Sequence, residues 1–385
     1  MWKLKKQNKS LIYLSIAAAF YFLASSVIGI FLPSYYLELG LSINQIIILI
    51  ACVVSVIGLL PILTLKFFPK LFEKLLMVGI FFNVIFFVLL MFVKDPLILG
   101  LVDGISMATF WPAFNLLIYR LTGAKHRGMV ASLLYIIIPT LVGIIGPVIG
   151  GAFIHFFNFN SIFILGIIFL SVALIFSFKI GYKPVTGGFT LPRKNIFLLF
   201  ALIIVMAGAI DIGWIVYPLF LQSLSSDFLQ MGIVAAILSV LFAIISFFVG
   251  KFSEIEVHKI NFMVFSALMA TAYLFALVFV RSIPALIIVS VFSGLAMVFA
   301  VGLFSLYGDF FKRKYHASLV VIWETLLMFG RLANLVPVYI FINTFDFSGY
   351  FWLIGLVSLL SLIPYAILQF LHFKKRIVTD IYQKY

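Results

Sequence analysis

The sequence predicts an all-α integral membrane protein: twelve transmembrane helices in two pseudo-symmetric six-helix bundles. Three observations predict it. Hydrophobic residues make up 65% of the chain and charged residues 10%, with 46 Phe and a mean hydropathy of +1.28, more apolar surface than a water-soluble core can hide. A bilayer core of about 30 Å needs about 20 apolar residues per helical crossing, and runs of that length recur twelve times. Between them, basic residues gather in every second loop.

In chain order the predicted spans are 10–33, 44–65, 73–93, 96–119, 128–156, 159–181, 196–222, 228–250, 260–280, 284–308, 317–343 and 349–371. Span 1 follows MWKLKKQNK. Its apolar run is longer than a signal-peptide core and no small-residue cleavage site follows, so it reads as a retained helix. Span 3 contains LMVGIFFNVIFFVLLMF, a continuous apolar run that excludes the alternating pattern of a β-barrel. Span 5 carries a ridge of Gly143, Gly146 and Gly150 suited to close helix packing. Its Pro139 and Pro147 each remove a backbone hydrogen bond and favour a bend. After span 6 comes the longest polar break, GYKPVTGGFTLPRKN. It divides the chain into an N-terminal bundle (1–181), a cytoplasmic linker (182–195) and a C-terminal bundle (196–385). Span 7 is expected as one helix with Asp211, Trp214, Pro218 and Gln222 along one face. Span 11 holds WETLLMFGRLANL, in which Glu324 and Arg331 interrupt an apolar stretch.

The charge pattern bounds topology and function together. Of 26 Lys and Arg, 23 lie at the N-terminus, in alternate loops or in the C-terminal tail; the other loops hold only Lys94 and Arg281, and Arg331 is left inside a span. The positive-inside rule then places both termini in the cytoplasm and requires an even number of spans. The net charge of +14 is topological, and nucleic-acid binding is not expected. The single Cys52 excludes a disulfide framework, and His126, His155, His258, His316 and His372 share no metal-ligand spacing, so no metal or cofactor is expected. Gly250-Lys251 is followed by Phe252, so the phosphate loop of an ATPase is absent.

An internal duplication is legible as well. Pro33 matches Pro218 and Gln45 matches Gln230 at an offset of 185, and Ala131-Ser132-Leu133 matches Ala317-Ser318-Leu319 at 186. Parallel repeats of this kind build one large class of secondary transporters, with a midplane site between the halves.

At this point the chain resembles the major facilitator superfamily over its whole length. Arg127-Gly128, followed by Gly146-Pro147-Val148-Ile149-Gly150-Gly151, looks like the family's helix 5 motif; exporters usually carry a further Gly where this chain has Val142, with Gly143 beside it. After span 8, Gly250 and Glu254 followed by His258-Lys259 resemble the family's cytoplasmic loop signature, a latch for the inner face, while Leu65-Lys66 occupies its acidic-basic position after span 2. Gly100 and Asp103 stand where drug/proton exchangers often have Arg and Gln in helix 4.

Ionisable groups within spans normally face a bundle interior or a water-filled cavity. Asp211, Arg331, Glu324 and Asp103 are therefore the candidate substrate or coupling residues. Asp211 and Arg331 lie at similar depth and can meet, either as a permanent ion pair or as a substrate and proton site. Glu324 is two turns from Arg331, a candidate for proton coupling or for gating opposite Asp309 or Glu254. The resemblance implies that helices 1, 4, 7 and 10 line a central cavity, which makes Tyr21, Ser25, Phe110, Trp111, Trp214 and Gln222 candidate lining residues. Gly143, Gly146, Pro147, Gly150, Gly250 and Glu254 are assigned to gating or packing. The expected function is that of a monomeric secondary transporter in the cell membrane, working by alternating access. Proton-linked export of a lipophilic or amphipathic compound is preferred over proton-coupled uptake of a small metabolite anion through Arg331. A membrane-embedded enzyme or lipid-flipping factor is disfavoured because no His, Ser or acidic cluster marks a reaction site.

Overall fold

The computed structural model describes residues 7–122, 130, 133–185, 189–190, 195–225, 227–253, 259–293, 295 and 315–373. Helix α1 (Gln7–Ile28) runs through a 3-10 turn at Gly29–Phe31 into α2 (Leu32–Glu38). Pro33 opens α2, where its missing N–H leaves no bond unmade, so the first span continues to Glu38 and not 33. Helix α3 (Ile43–Phe67) starts with a capping box in which Ser42 and Gln45 satisfy each other's backbone N–H. Helix α4 (Leu75–Leu90) precedes α5 (Pro96–Leu121), capped by Asp95 on the Leu97 and Ile98 N–H groups. A π turn at Leu133–Ile137 leads into α6 (Ile138–Phe156) where Pro139 withholds an N–H, and α7 (Phe159–Ser177) follows.

The remaining helices are α8 (Asn195–Ala209), α9 (Val216–Leu224), α10 (Phe228–Ser253), α11 (Lys259–Leu277), α12 (Ile283–Ser293), α13 (His316–Pro337) and α14 (Phe347–Phe373). Among the described residues, nine stretches are long and apolar enough to cross a membrane. Predicted spans 7, 9 and 10 appear there as the shorter apolar helices Phe197–Ala209, Val264–Leu277 and Ile283–Ser293. Large apolar side chains such as Phe92, Phe156, Leu198 and Ile288 face outward, as a lipid environment allows.

Within the first half α1 packs on α6 and α7, and α5 on α3 and α4; within the second, α8 packs on α13 and α14, and α11 on α14. Besides smaller contacts of α5 on α13 and α2 on α9, the halves meet chiefly through two helix pairs, α3 with α13 and α6 with α10. Moving each predicted span number by six converts one pair into the other, the relation a duplicated bundle requires. Helix α6 is held on two sides. A Cβ on Gly146 would stand 2.5 Å from Ser26 Oγ of α1, and one on Gly151 would overlap the Phe228 carbonyl of α10.

Both ends of the assembly are bridged. At one end Ser34 Oγ donates to Gln222 Oε1 at 2.8 Å, Asn343 Nδ2 donates to Asn44 Oδ1 at 2.9 Å, and Phe228 packs edge-on against Phe31 and Phe159. At the other, the Thr190 N–H donates to Ser318 Oγ at 2.9 Å, and Leu65, Phe72 and Tyr119 cluster with Ala317, Val320 and Val321. Buried Glu73 meets Arg120 Nε at 2.6 Å and accepts the Lys183 N–H at 2.7 Å, which fastens the start of the polar break to the first half.

Candidate functional site: a broken helix facing Arg331

The expected single helix of span 7 is corrected by the structure. Helix α8 stops at Ala209 and α9 begins at Val216, so Asp211 and Trp214 lie in the intervening turn while Pro218 and Gln222 lie on α9. They do not form one helical stripe. The local cause is Asp211, whose Oδ1 accepts the Gly213 N–H at 3.2 Å, an Asx turn that competes with helical bonding.

A break inside a bilayer survives only if the protein satisfies the freed backbone groups. Asn334 on α13 does this: its Nδ2 donates to the Ala209 carbonyl at 2.6 Å and to the Asp211 carbonyl at 3.3 Å. The Tyr350 hydroxyl on α14 donates to Asn334 Oδ1 at 2.7 Å and fixes the amide. Helix α13 comes this close because Gly208 and Gly330 face each other. A Cβ on Gly208 would be 2.5 Å from the Leu327 carbonyl oxygen, and one on Gly330 would overlap the Val205 carbonyl.

The same crossing delivers Arg331 to the turn. Its Nε donates to Asp211 Oδ2 at 3.0 Å; Trp214 Nε1 donates to that oxygen at 2.9 Å, and the guanidinium lies 5.1 Å from the Trp214 ring centre. Neither charge is sealed off, with 19% of the Arg331 side chain and 27% of Asp211 accessible. They open on a small cavity of about 20 Å³ whose wall includes Ile50 and Val54 of α3. The site thus lies between the halves, at the meeting point of two helix ends.

Other sequence-predicted residues sit elsewhere. Glu324 is buried, with no hydrogen-bond or salt-bridge partner among the described residues; it lies within electrostatic range of Arg331 and of Tyr135, whose hydroxyl donates to Asn115 Oδ1. Its neighbour Thr325 donates to the Gly58 carbonyl of α3 at 2.9 Å, so this part of α13 faces the first half. Asp309 and Glu254, considered as partners of Glu324, fall outside the described residues, as do Arg127 and Gly128; Gly250 lies within α10.

Asp103 is buried in the first half near Tyr21 and Tyr36. Tyr21 stacks on Phe110 with centroids 3.7 Å apart, Trp111 stacks on Phe22, and Ser25 Oγ donates to the Tyr21 carbonyl of its own helix at 3.0 Å. These residues group together, apart from the Asp211–Arg331 cavity; Gln222 bridges to Ser34. Of the predicted lining residues, Trp214 is in that cavity wall. Asn334, Tyr350, Gly208 and Gly330 were not singled out in the sequence. The available signal was an Asn one turn beyond Arg331 and a Gly shortly before each charge.

Helices long enough to span a bilayer, paired halves and a polar cavity at a helix break define a multi-pass membrane protein with a candidate site between its halves. Residues 14–197 match the Major Facilitator Superfamily. The human organic anion transporter MFSD10 (TETRAN) superposes with a TM-score of 0.70 over 94% of this chain and 100% of its own, at 11% identity. A mutant of the nucleoside transporter NupG superposes with a TM-score of 0.68 over 93% and 99%, at 13% identity. The chain therefore matches the superfamily in its first half and carries the fold of its solved transporters over nearly its whole length, which bears out the resemblance read from the sequence. A curated relative, the multi-drug resistance efflux pump PmrA homolog of Lactococcus lactis subsp. lactis (strain IL1403), is 25% identical over 184 residues, 45% of each protein. The chain thus spans under half the length of that relative.

Proposed function

We propose that this protein exports a lipophilic or amphipathic organic solute by alternating access in the cell membrane, with both termini cytoplasmic and with proton movement coupled through Asp211, Arg331 and Glu324. The observation that carries the reading is the acid–base pair at the break in span 7, open to a cavity that both halves line. A proton on Asp211 removes its charge and frees Arg331; deprotonation restores the pair. In this reading Glu324, two turns along α13, without a bonded partner among the described residues and within electrostatic range of Arg331, is the acid that exchanges that proton. Opposite the ion pair the cavity wall carries Ile50, Val54 and the Trp214 ring, an apolar side that suits the lipophilic part of an amphipathic solute. The distant efflux-pump relative supports the outward direction.

In liposomes, Glu324→Gln is expected to lose transport driven by a pH gradient yet to keep solute exchange in counterflow. Transport by Glu324→Gln with unchanged pH dependence would overturn proton coupling through this residue. Uptake of a small metabolite anion is the second reading. One observation favours it: Arg331 reaches Asp211 through Nε alone, which leaves its two terminal nitrogens for a carboxylate or phosphate entering the cavity. Counterflow with a panel of anionic and neutral amphipathic solutes separates the two.

A further inference from the structure

We propose that His155 and Asp227 form a pH-sensitive latch between the halves, which holds one end of the assembly shut when the imidazole is protonated. His155 lies in the last turn of α6 and Asp227 directly before α10, so the pair joins the first half to the second. His155 Nδ1 stands 3.3 Å from Asp227 Oδ1, and the two side chains are 47% and 46% exposed. Solvent protons therefore reach this pair directly, unlike the buried acids Asp103 and Glu324. The carboxylate is held in place: Asp227 Oδ1 accepts the Leu229 N–H at 3.1 Å and Oδ2 the Gln230 N–H at 3.3 Å. Just inside the pair the two helices touch, Gly151 against the Phe228 carbonyl and Gly232 against the Pro147 carbonyl. The latch thus sits at the rim of the α6–α10 contact.

The other bridges at this end, Ser34 to Gln222, Asn44 to Asn343 and Phe228 on Phe31 and Phe159, are neutral and insensitive to pH. Histidine is the side chain that changes charge between about pH 5 and 8. A neutral ring offers Asp227 at most one hydrogen bond; a protonated ring adds opposite charges across a contact that must part when this end opens. Acid therefore favours the closed end, and the attraction fades as pH rises. Against α6 and α10 pack α1, α7, α9, the Gly29–Phe31 turn and the π turn. Their titratable groups are engaged elsewhere: Tyr13 faces Lys179, Tyr21 stacks on Phe110, Tyr135 bonds to Asn115, and Tyr217 bonds to Tyr273 and Ser290. Lys9 and Lys251 belong to the opposite ends of α1 and α10. The latch rests on the rocking motion and topology proposed above, in which this end faces the outside medium, and is independent of which acids carry the transported proton.

The test is the distance between spin labels on exposed Lys94→Cys and Phe279→Cys, one on each half at this end, in the full Cys52→Ser chain in lipid nanodiscs. Between about pH 8.5 and pH 5.5 the ratio of short to long distances is expected to rise about two- to fivefold, the range an exposed ion pair supplies. His155→Gln should abolish that rise. So should Asp227→Asn, which removes the charge yet keeps an oxygen to cap α10. His155→Lys carries a fixed charge and should hold the high ratio at both pH values, an effect that a merely structural contact does not produce. The rise should persist in Glu324→Gln. An equal ratio at both pH values in the otherwise unaltered chain overturns the latch and leaves rocking in place, as does a rise that survives His155→Gln or disappears in Glu324→Gln alone. A single distance at every pH and in every variant overturns the rocking motion, and the latch with it.

Discussion

Asp211 and Arg331 each bring a full charge into apolar surroundings, at a cost of about 2.5–3.5 kcal/mol per charge at a helix centre on insertion scales. Their mutual bond, the Trp214 N–H and the Gly213 N–H offset part of it. Removing one partner leaves the other charge exposed to that cost, which for fully buried pairs reaches about 3–5 kcal/mol. This pair is partly open to the cavity, so the loss should be smaller. Asp211→Asn and Arg331→Met are each expected to lower the unfolding midpoint, while the double variant recovers much of it. Transport should stay abolished in the double variant. A purely structural ion pair would instead let the stabilised double variant transport, so thermal unfolding and counterflow measured on the same three proteins decide the role.

At the scale of the element, the broken helix depends on one residue of a distant one. Asn334→Leu is nearly isosteric, yet it strips the donors from the Ala209 and Asp211 carbonyls. Each unsatisfied buried acceptor costs about 1–3 kcal/mol, so a clear fall in the midpoint is expected, with Asn334→Gln a weaker effect. No fall would mean that the turn finds its partners elsewhere. This dependence also explains what the sequence could and could not reveal. Spans 2, 4, 6, 8 and 12 were legible because lipid demands a long apolar run, and the depth of Asp211 and Arg331 followed from counting residues along two spans. The break was not legible. Residues 196–209 and 216–222 are apolar on both sides of it, and hydropathy reports side-chain partitioning, whereas the break is decided by which backbone carbonyls Asn334 and its neighbours reach. The grouping of Tyr21, Phe110 and Trp111 away from the cavity escaped for a related reason: in a chain with 46 Phe, aromatic residues at helical spacing do not say which face meets a core and which meets a cavity.

At the scale of the molecule, contacts between the halves exist at both ends of the assembly. Alternating access requires one set to open while the other holds, since a path open at both ends would leak and one closed at both ends would trap its cargo. The pairs α3–α13, which lines the cavity, and α6–α10 are the surfaces on which the halves would move against each other under the proposed mechanism. Ser34 and Gln222 meet at the end away from the Thr190–Ser318 contact, so linking them should hold that end shut. With Cys52→Ser removing the chain's own thiol, Ser34→Cys with Gln222→Cys can be joined by a short, reducible thiol crosslinker. The crosslinked protein is expected to lose net transport and counterflow together, and reduction should restore both to the level of the uncrosslinked protein. Full transport by the crosslinked form would show that solute reaches the Asp211–Arg331 cavity without separation of α2 from α9, and rocking about that site would then have to be abandoned as the mechanism.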